Sequence, residues 1–200
     1  MKQMLNTVIL TLTLGMTSAA QAVLINFEGN IEFHNDVIYT YFTLDNDATN
    51  VRMWTDSFKD GENFDPITAL WKDSGELVDE NDDNDEIDTA TQTEFDSGLV
   101  FGNLSAGDYV FTIATYNNFA GGTMISDGFS FDNETAIPLA VWNQPANGVD
   151  MGTYWSVWFD GVSSARSDSP SVAVSEPSAI ALMSFGLFGL LASRRKSSKR

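Results

Sequence analysis

The chain has 200 residues, no cysteine, one histidine and a formal charge of −18. That length allows one domain of about 150 residues besides any processed ends, enough to bury a core without disulfides. The composition excludes thiol catalysis, thiolate metal sites and disulfide frameworks, and a single His34 argues against multi-histidine metal sites and histidine acid–base chemistry. Six of the ten basic residues are terminal: Lys2, Arg194, Arg195, Lys196, Lys199 and Arg200. Residues 23–175 keep only Arg52, Lys59, Lys72 and Arg166 against 27 acidic residues, a net of −23. Such a body repels nucleic acid and anionic lipid and attracts divalent cations or basic partners, while much of the charge also serves as a solvating coat.

Residues 1–22 read as a secretory signal peptide. Lys2 supplies the basic start, residues 8–16 the apolar stretch, and Ala20-Gln21-Ala22 the small-x-small cleavage site. The apolar run is too short to span a bilayer, so cleavage after Ala22 and release by the secretion machinery is the stronger reading than an anchor. No cysteine follows to take a lipid.

From Leu24 the pattern alternates with period two. Runs rich in β-branched and aromatic residues at 24–29, 37–44, 51–55 and 67–71 are separated by turns rich in Asn, Asp and Gly. Strands at this spacing, with no amphipathic helix between them, predict an all-β fold: a single β-sandwich, jelly-roll-like, over residues 23–162. His34, in the polar turn His34-Asn35-Asp36, reads as a surface histidine. Residues 95–104 and 109–116 flank Ala106-Gly107-Asp108 and predict a hairpin. The second arm is apolar on both faces, as a central strand would be. Residues 137–142 and 153–159 read as the closing strands, with Trp155, Val157 and Phe159 on the face opposite Tyr154 and Trp158.

Between these strands, residues 79–88 hold seven carboxylates in ten positions. Like charges this dense repel unless solvated or bridged by a cation. Ca²⁺ is the natural bridging ion, being hard, oxygen-seeking and tolerant of irregular geometry. The spacing does not fit an EF-hand loop, which needs Gly at its sixth position. Asp82, Asp83 and Asp85 are the candidate ligands, with Asp60 and Asp65 as helpers, and a solvated hairpin loop is the plainer alternative.

Residues 163–175 form a Ser-containing linker with Pro170. Then come Glu176-Pro177, an apolar stretch over 179–192 and the basic group Arg194-Arg195-Lys196, which together describe a short hydrophobic helix halted at the cytoplasmic side. This order of parts resembles the PEP-CTERM sorting signal, here residues 176–200. The resemblance implies export, transient parking in the inner membrane, recognition near Glu176-Pro177 by an exosortase-type transpeptidase, and delivery to the cell surface or extracellular matrix, with extracellular polysaccharide as a partner. A second likeness covers residues 42–131. Asp65-Pro66-Ile67 with Leu70-Trp71, Gly75, Glu80-Asn81-Asp82-Asp83 and Leu104-Ser105-Ala106-Gly107-Asp108-Tyr109 resemble the bacterial pre-peptidase C-terminal domain, in an uncharacterised branch linked to PEP-CTERM proteins. That family implies a small β-sandwich, some members of which bind Ca²⁺ or polymers.

Three functions follow from these readings. The first is a non-enzymatic, exported surface or matrix protein, stabilised by calcium. The second is a polysaccharide hydrolase using a pair drawn from Asp56, Asp60, Glu62 and Asp65 near Trp54 and Trp71. The third is a carbohydrate-binding module whose exposed aromatics, Trp158 among them, stack on sugar rings.

Overall fold

Among the described residues the chain folds into ten strands: β1 (Ile25–Asn30), β2 (Val37–Leu44), β3 (Ala48–Thr55), β4 (Pro66–Lys72), β5 (Leu77–Asn81), β6 (Gly98–Leu104), β7 (Gly107–Thr115), β8 (Tyr154–Asp160), β9 (Ser164–Ser167) and β10 (Val174–Ser175). The computed structural model describes residues 24–144, 151–168 and 174–175. The expected signal peptide, the Glu176-Pro177 pair and the apolar stretch at 179–192 lie outside the described residues. Among the described residues no helix is long and apolar enough to cross a membrane.

The strands form two five-stranded sheets, one in the order β10-β1-β8-β3-β6 and the other β5-β4-β7-β2-β9. Every pairing between these strands is antiparallel. Only β4 and β5 are sequential neighbours within a sheet; each other connection carries the chain across to the opposite layer. The layers close because each strand turns one apolar row inward. Phe27, Met53, Val157 and Phe159 from the first sheet meet Ile38, Phe42, Phe111 and Ile113 from the second, all buried. Phe159 is the hinge of this contact, with Phe42 and Phe111 across the gap at ring separations of 5.7 Å each. Each such ring removed from water contributes about 2–3 kcal/mol before entropy is subtracted. Gly29 faces the buried Trp155, whose ring lies 2.9 Å from where a Cβ would stand.

β7 is central in its sheet, as its two apolar faces predict. Its outer face is covered too. Residues 117–144 fold back over the second sheet, and Phe129, with Ala120 and Ile125, packs on Ala69, Trp71, Val37, Tyr39, Leu77 and Val110. The Trp71 indole donates to Thr112 Oγ1 at 3.0 Å beneath this cover.

Four local expectations change. Strands β6 and β7 do not form a hairpin, because they lie in different sheets; a Gly-Asp turn can close a hairpin or an arch, and sheet membership is decided by where the inward rows pack. Residues 137–142 are not a strand. Pro138 lacks the N–H a ladder needs, and the segment makes a short 3-10 turn at Leu139–Val141 that buries Leu139. The first residues of the expected linker supply β9, which pairs with β2 from Thr40 to Thr43. His34 is fully buried rather than exposed. Its ring sits 5.2 Å from both Phe131 and Trp142, its Nδ1 accepts from the Ile137 N–H at 3.2 Å, and its Nε2 lies 3.1 Å from Glu134 Oε2. His34 thereby pins the covering segment to the β1–β2 turn.

At the edge of the first sheet, β10 lies against the start of β1, with Ile25 opposite Ser175 and Asn26 opposite Val174.

Candidate metal centre

The acidic loop is positioned by the β4–β5 hairpin. Thr68 is opposite Asn81, so the antiparallel chain leaving β5 runs back toward the start of β4. Asp82 and Asp83 are thereby brought alongside Asp65, which immediately precedes β4 and whose carbonyl accepts from the Tyr116 N–H at 2.8 Å. Ser97 fastens the hairpin end: its Oγ donates to the Asn81 carbonyl at 2.9 Å and lies 2.7 Å from Thr68 Oγ1.

The rest of the loop, through residue 97, is held by its own hydrogen bonds. Gln92 Nε2 donates to the Asn84 carbonyl at 2.8 Å, and Gln92 Oε1 accepts from the N–H groups of Ile87 and Asp88. The fully buried Asp96 accepts from Thr55 Oγ1, the Phe58 N–H, and the N–H and hydroxyl of Thr93. Burial raises its pKa, although these four donors pull the other way. Ile87 closes the loop onto the sheet over Gly98, where its Cδ1 lies 2.6 Å from a notional Cβ.

One carboxylate oxygen each from Asp65, Asp82 and Asp83 lies within 4.8 Å of the other two. Oxygens around a Ca²⁺ ion at 2.3–2.6 Å are at most about 5 Å apart, so this spacing falls within reach of that ion. Asp65 is 2% exposed, Asp82 half-buried and Asp83 exposed. Burial, then the charges of Asp83 and Glu80, push Asp82 up to about 6. Asp83 is raised as well, by burial and then by Glu94 and Asp85. One Asp82 oxygen, Oδ1, is buried without a hydrogen-bond partner among the described residues. A hard divalent cation relieves all of these conditions together: it offsets the repulsion, restores the ionised forms and occupies the lone pairs.

The other candidate ligands stand apart from this trio. Asp60 is exposed on the 3-10 turn Lys59–Gly61, its N–H donating to Thr93 Oγ1 at 3.2 Å. Asp85 is exposed and acts on the trio through its charge on Asp83. The supporting roles of Gln92, Asp96 and Ser97 have no signal in the sequence, because nearly every position of this loop is polar.

The four hydrolase acids have different surroundings. Asp56 accepts from the Trp158 indole at 2.9 Å, Asp65 belongs to the acidic trio, and Asp60 and Glu62 are exposed. Trp54 and Trp71 sit on different sheets. No catalytic constellation is identified among the described residues. Trp155, Val157 and Phe159 point into the core, whereas Trp158 lies on the outer face of the first sheet, stacked at 6.3 Å on Trp54. Farther along the same face of β8, Tyr154 donates to Glu28 Oε2 at 2.7 Å, and burial with that bond pushes the Tyr154 phenol up to about 12.

No curated protein and no solved structure matches the chain. The PEP-CTERM protein-sorting motif matches residues 173–196, a span that includes Glu176-Pro177, the apolar stretch and the basic group. The chain is thus an exported protein bearing a PEP-CTERM sorting signal, consistent with an exosortase-sorted protein of the cell surface or extracellular space.

Proposed function

We propose that this is a non-enzymatic protein of the cell surface or extracellular matrix whose folded body is stabilised by calcium. The match over residues 173–196 carries the reading. In it, the secretion machinery removes residues 1–22, the C-terminal helix parks the precursor in the inner membrane, and an exosortase-type transpeptidase acts near Glu176-Pro177. The body then reaches the surface as a sandwich of the jelly-roll kind. The repeated crossing between layers supports that winding, and residues 42–131 carry the likeness to the pre-peptidase C-terminal domain. Asp65, Asp82 and Asp83 are the proposed calcium ligands, their mutual reach being the supporting geometry.

Mass spectrometry of the protein from its native host tests the sorting half. Ends generated after Ala22 and near Pro177 are expected, and the double change Glu176→Gln, Pro177→Ala should leave an uncut precursor in the membrane fraction. Surface delivery unaffected by that change would defeat the reading. Calorimetry with and without Ca²⁺ tests the other half, since an ion that binds only the folded state must raise its melting temperature.

A further inference from the structure

Two carboxylates, a guanidinium lying on a phenol ring and two hydroxyls meet in a cleft of about 330 Å³ at one end of the second sheet. Tyr41 and Thr43 come from β2, Asp108 from β7, Ser164 and Arg166 from β9, and Asp73 from the turn after β4. The ladder sets their positions. Tyr41 and Arg166 are direct cross-strand partners, and the guanidinium carbon stands 3.7 Å from the Tyr41 ring centroid. Thr43 and Asp108 are partners as well, with Thr43 Oγ1 donating to Asp108 Oδ1 at 2.6 Å. The Asp73 N–H donates to the Asp108 carbonyl at 2.9 Å, which fixes the third wall.

This wall chemistry selects among ligands. An anion meets Asp73, Asp108 and Asp168, the last paired with Arg166, on a body of net charge −23, and is repelled. A hydrocarbon would strand the carboxylates and the guanidinium without water. A simple cation would face Arg166, held flat over Tyr41. A neutral, hydroxyl-rich ring suits the mixture, because each hydroxyl both donates and accepts: it can donate to Asp73 or Asp108 and accept from Arg166. The volume is at the low end for small-molecule pockets, about 300–1,000 Å³.

We propose that the Tyr41–Arg166 cleft binds neutral sugar units of a polysaccharide. Of the proposed function this uses only export, which puts the cleft outside the cell; it shares no residue with the acidic trio. The test is titration of the full-length chain in detergent, followed by two-dimensional NMR, with neutral gluco-, galacto- and manno-oligosaccharides, and with polygalacturonate and oligolysine as charged alternatives. At least one neutral oligosaccharide should bind and shift the resonances of Tyr41, Asp108 and Arg166. Arg166→Ala and Asp73→Asn, both at exposed positions, should each weaken that binding about tenfold, the loss of one charge-assisted hydrogen bond, while Trp158→Ala leaves it within about twofold. No binding by any neutral oligosaccharide, binding insensitive to both cleft variants, shifts centred on Trp158, or tighter binding of oligolysine or polygalacturonate would each overturn the proposal. Binding is read in vitro, so a failure of export leaves the result unchanged.

Discussion

Replacing Asp82 by Asn separates charge repulsion from cation binding at a single residue. The Asp82 carboxyl moves from 3.8 in the unfolded chain to about 6 in the folded one. At about 1.4 kcal/mol per pH unit, that is roughly 3 kcal/mol of disfavoured ionisation. Asp82 is partly open to water, and screening reduces the figure to on the order of 1 kcal/mol. The sign follows from proton counts. Between about pH 4 and 6 the folded state holds more protons at this site than the unfolded state, so without a cation the Asp82 contribution to stability falls as pH rises through 6 and is recovered below 3.8. Asp82→Asn, nearly isosteric, should therefore be more stable than wild type in EDTA at pH 7.5 by about 1 kcal/mol, or roughly 2–4 °C in melting temperature. The advantage should vanish near pH 3.5. Saturating Ca²⁺ should invert the order: wild type gains about 2.7 kcal/mol at a hundredfold excess over Kd, and the variant, having lost an ionised ligand, gains less than about half of that. Circular dichroism melts in EDTA and in Ca²⁺ at the two pH values give all the required differences. A variant less stable than wild type in EDTA at pH 7.5, with neither protein responding to Ca²⁺, would refute the reasoning.

Gly98→Ala should destabilise by about 2–3 kcal/mol in urea unfolding, because a Cβ there meets the Met53 carbonyl at 2.5 Å and Ile87 Cδ1 at 2.6 Å; Gly102→Ala, with nothing within 4 Å, should be close to neutral. His34→Ala removes a buried ring held between Phe131 and Trp142 and strands the Ile137 N–H. A loss of about 3 kcal/mol is expected, with new protease cleavage confined to residues 117–144. Asp96→Asn turns an amide N–H toward donors that now meet a carboxylate, which should cost about 2 kcal/mol and weaken Ca²⁺ binding in calorimetry by loosening the loop that carries Asp82 and Asp83.

The strands were legible because β-branched and aromatic residues concentrate in them: Val37 to Leu44 is rich in both, and its burial alternates in the fold. Which sheet each strand joins was not, since the turn between β6 and β7 has the same residues whether it closes a hairpin or spans the layers. Burial imposed from far along the chain was also hidden. His34 has polar neighbours, and the rings that enclose it lie at positions 131 and 142. For the acidic loop, composition pointed to a cation but not to which of seven carboxylates would share it. That choice is made by the Thr68–Asn81 register, which places Asp82 and Asp83, but not Asp85, with Asp65.

The pairing of Val174–Ser175 with Ile25–Asn26 determines how the body responds to tension on its tail. Chain leaving Ser175 departs beside Ile25, the first residue of β1, so a pull directed across the strands reaches one rung of the ladder before the next. Rungs loaded singly part at low force, each contributing only about 1 kcal/mol. The attachment therefore behaves as a zipper at the rim, with two rungs to unfasten before strain is transmitted to the rings packed around Phe159.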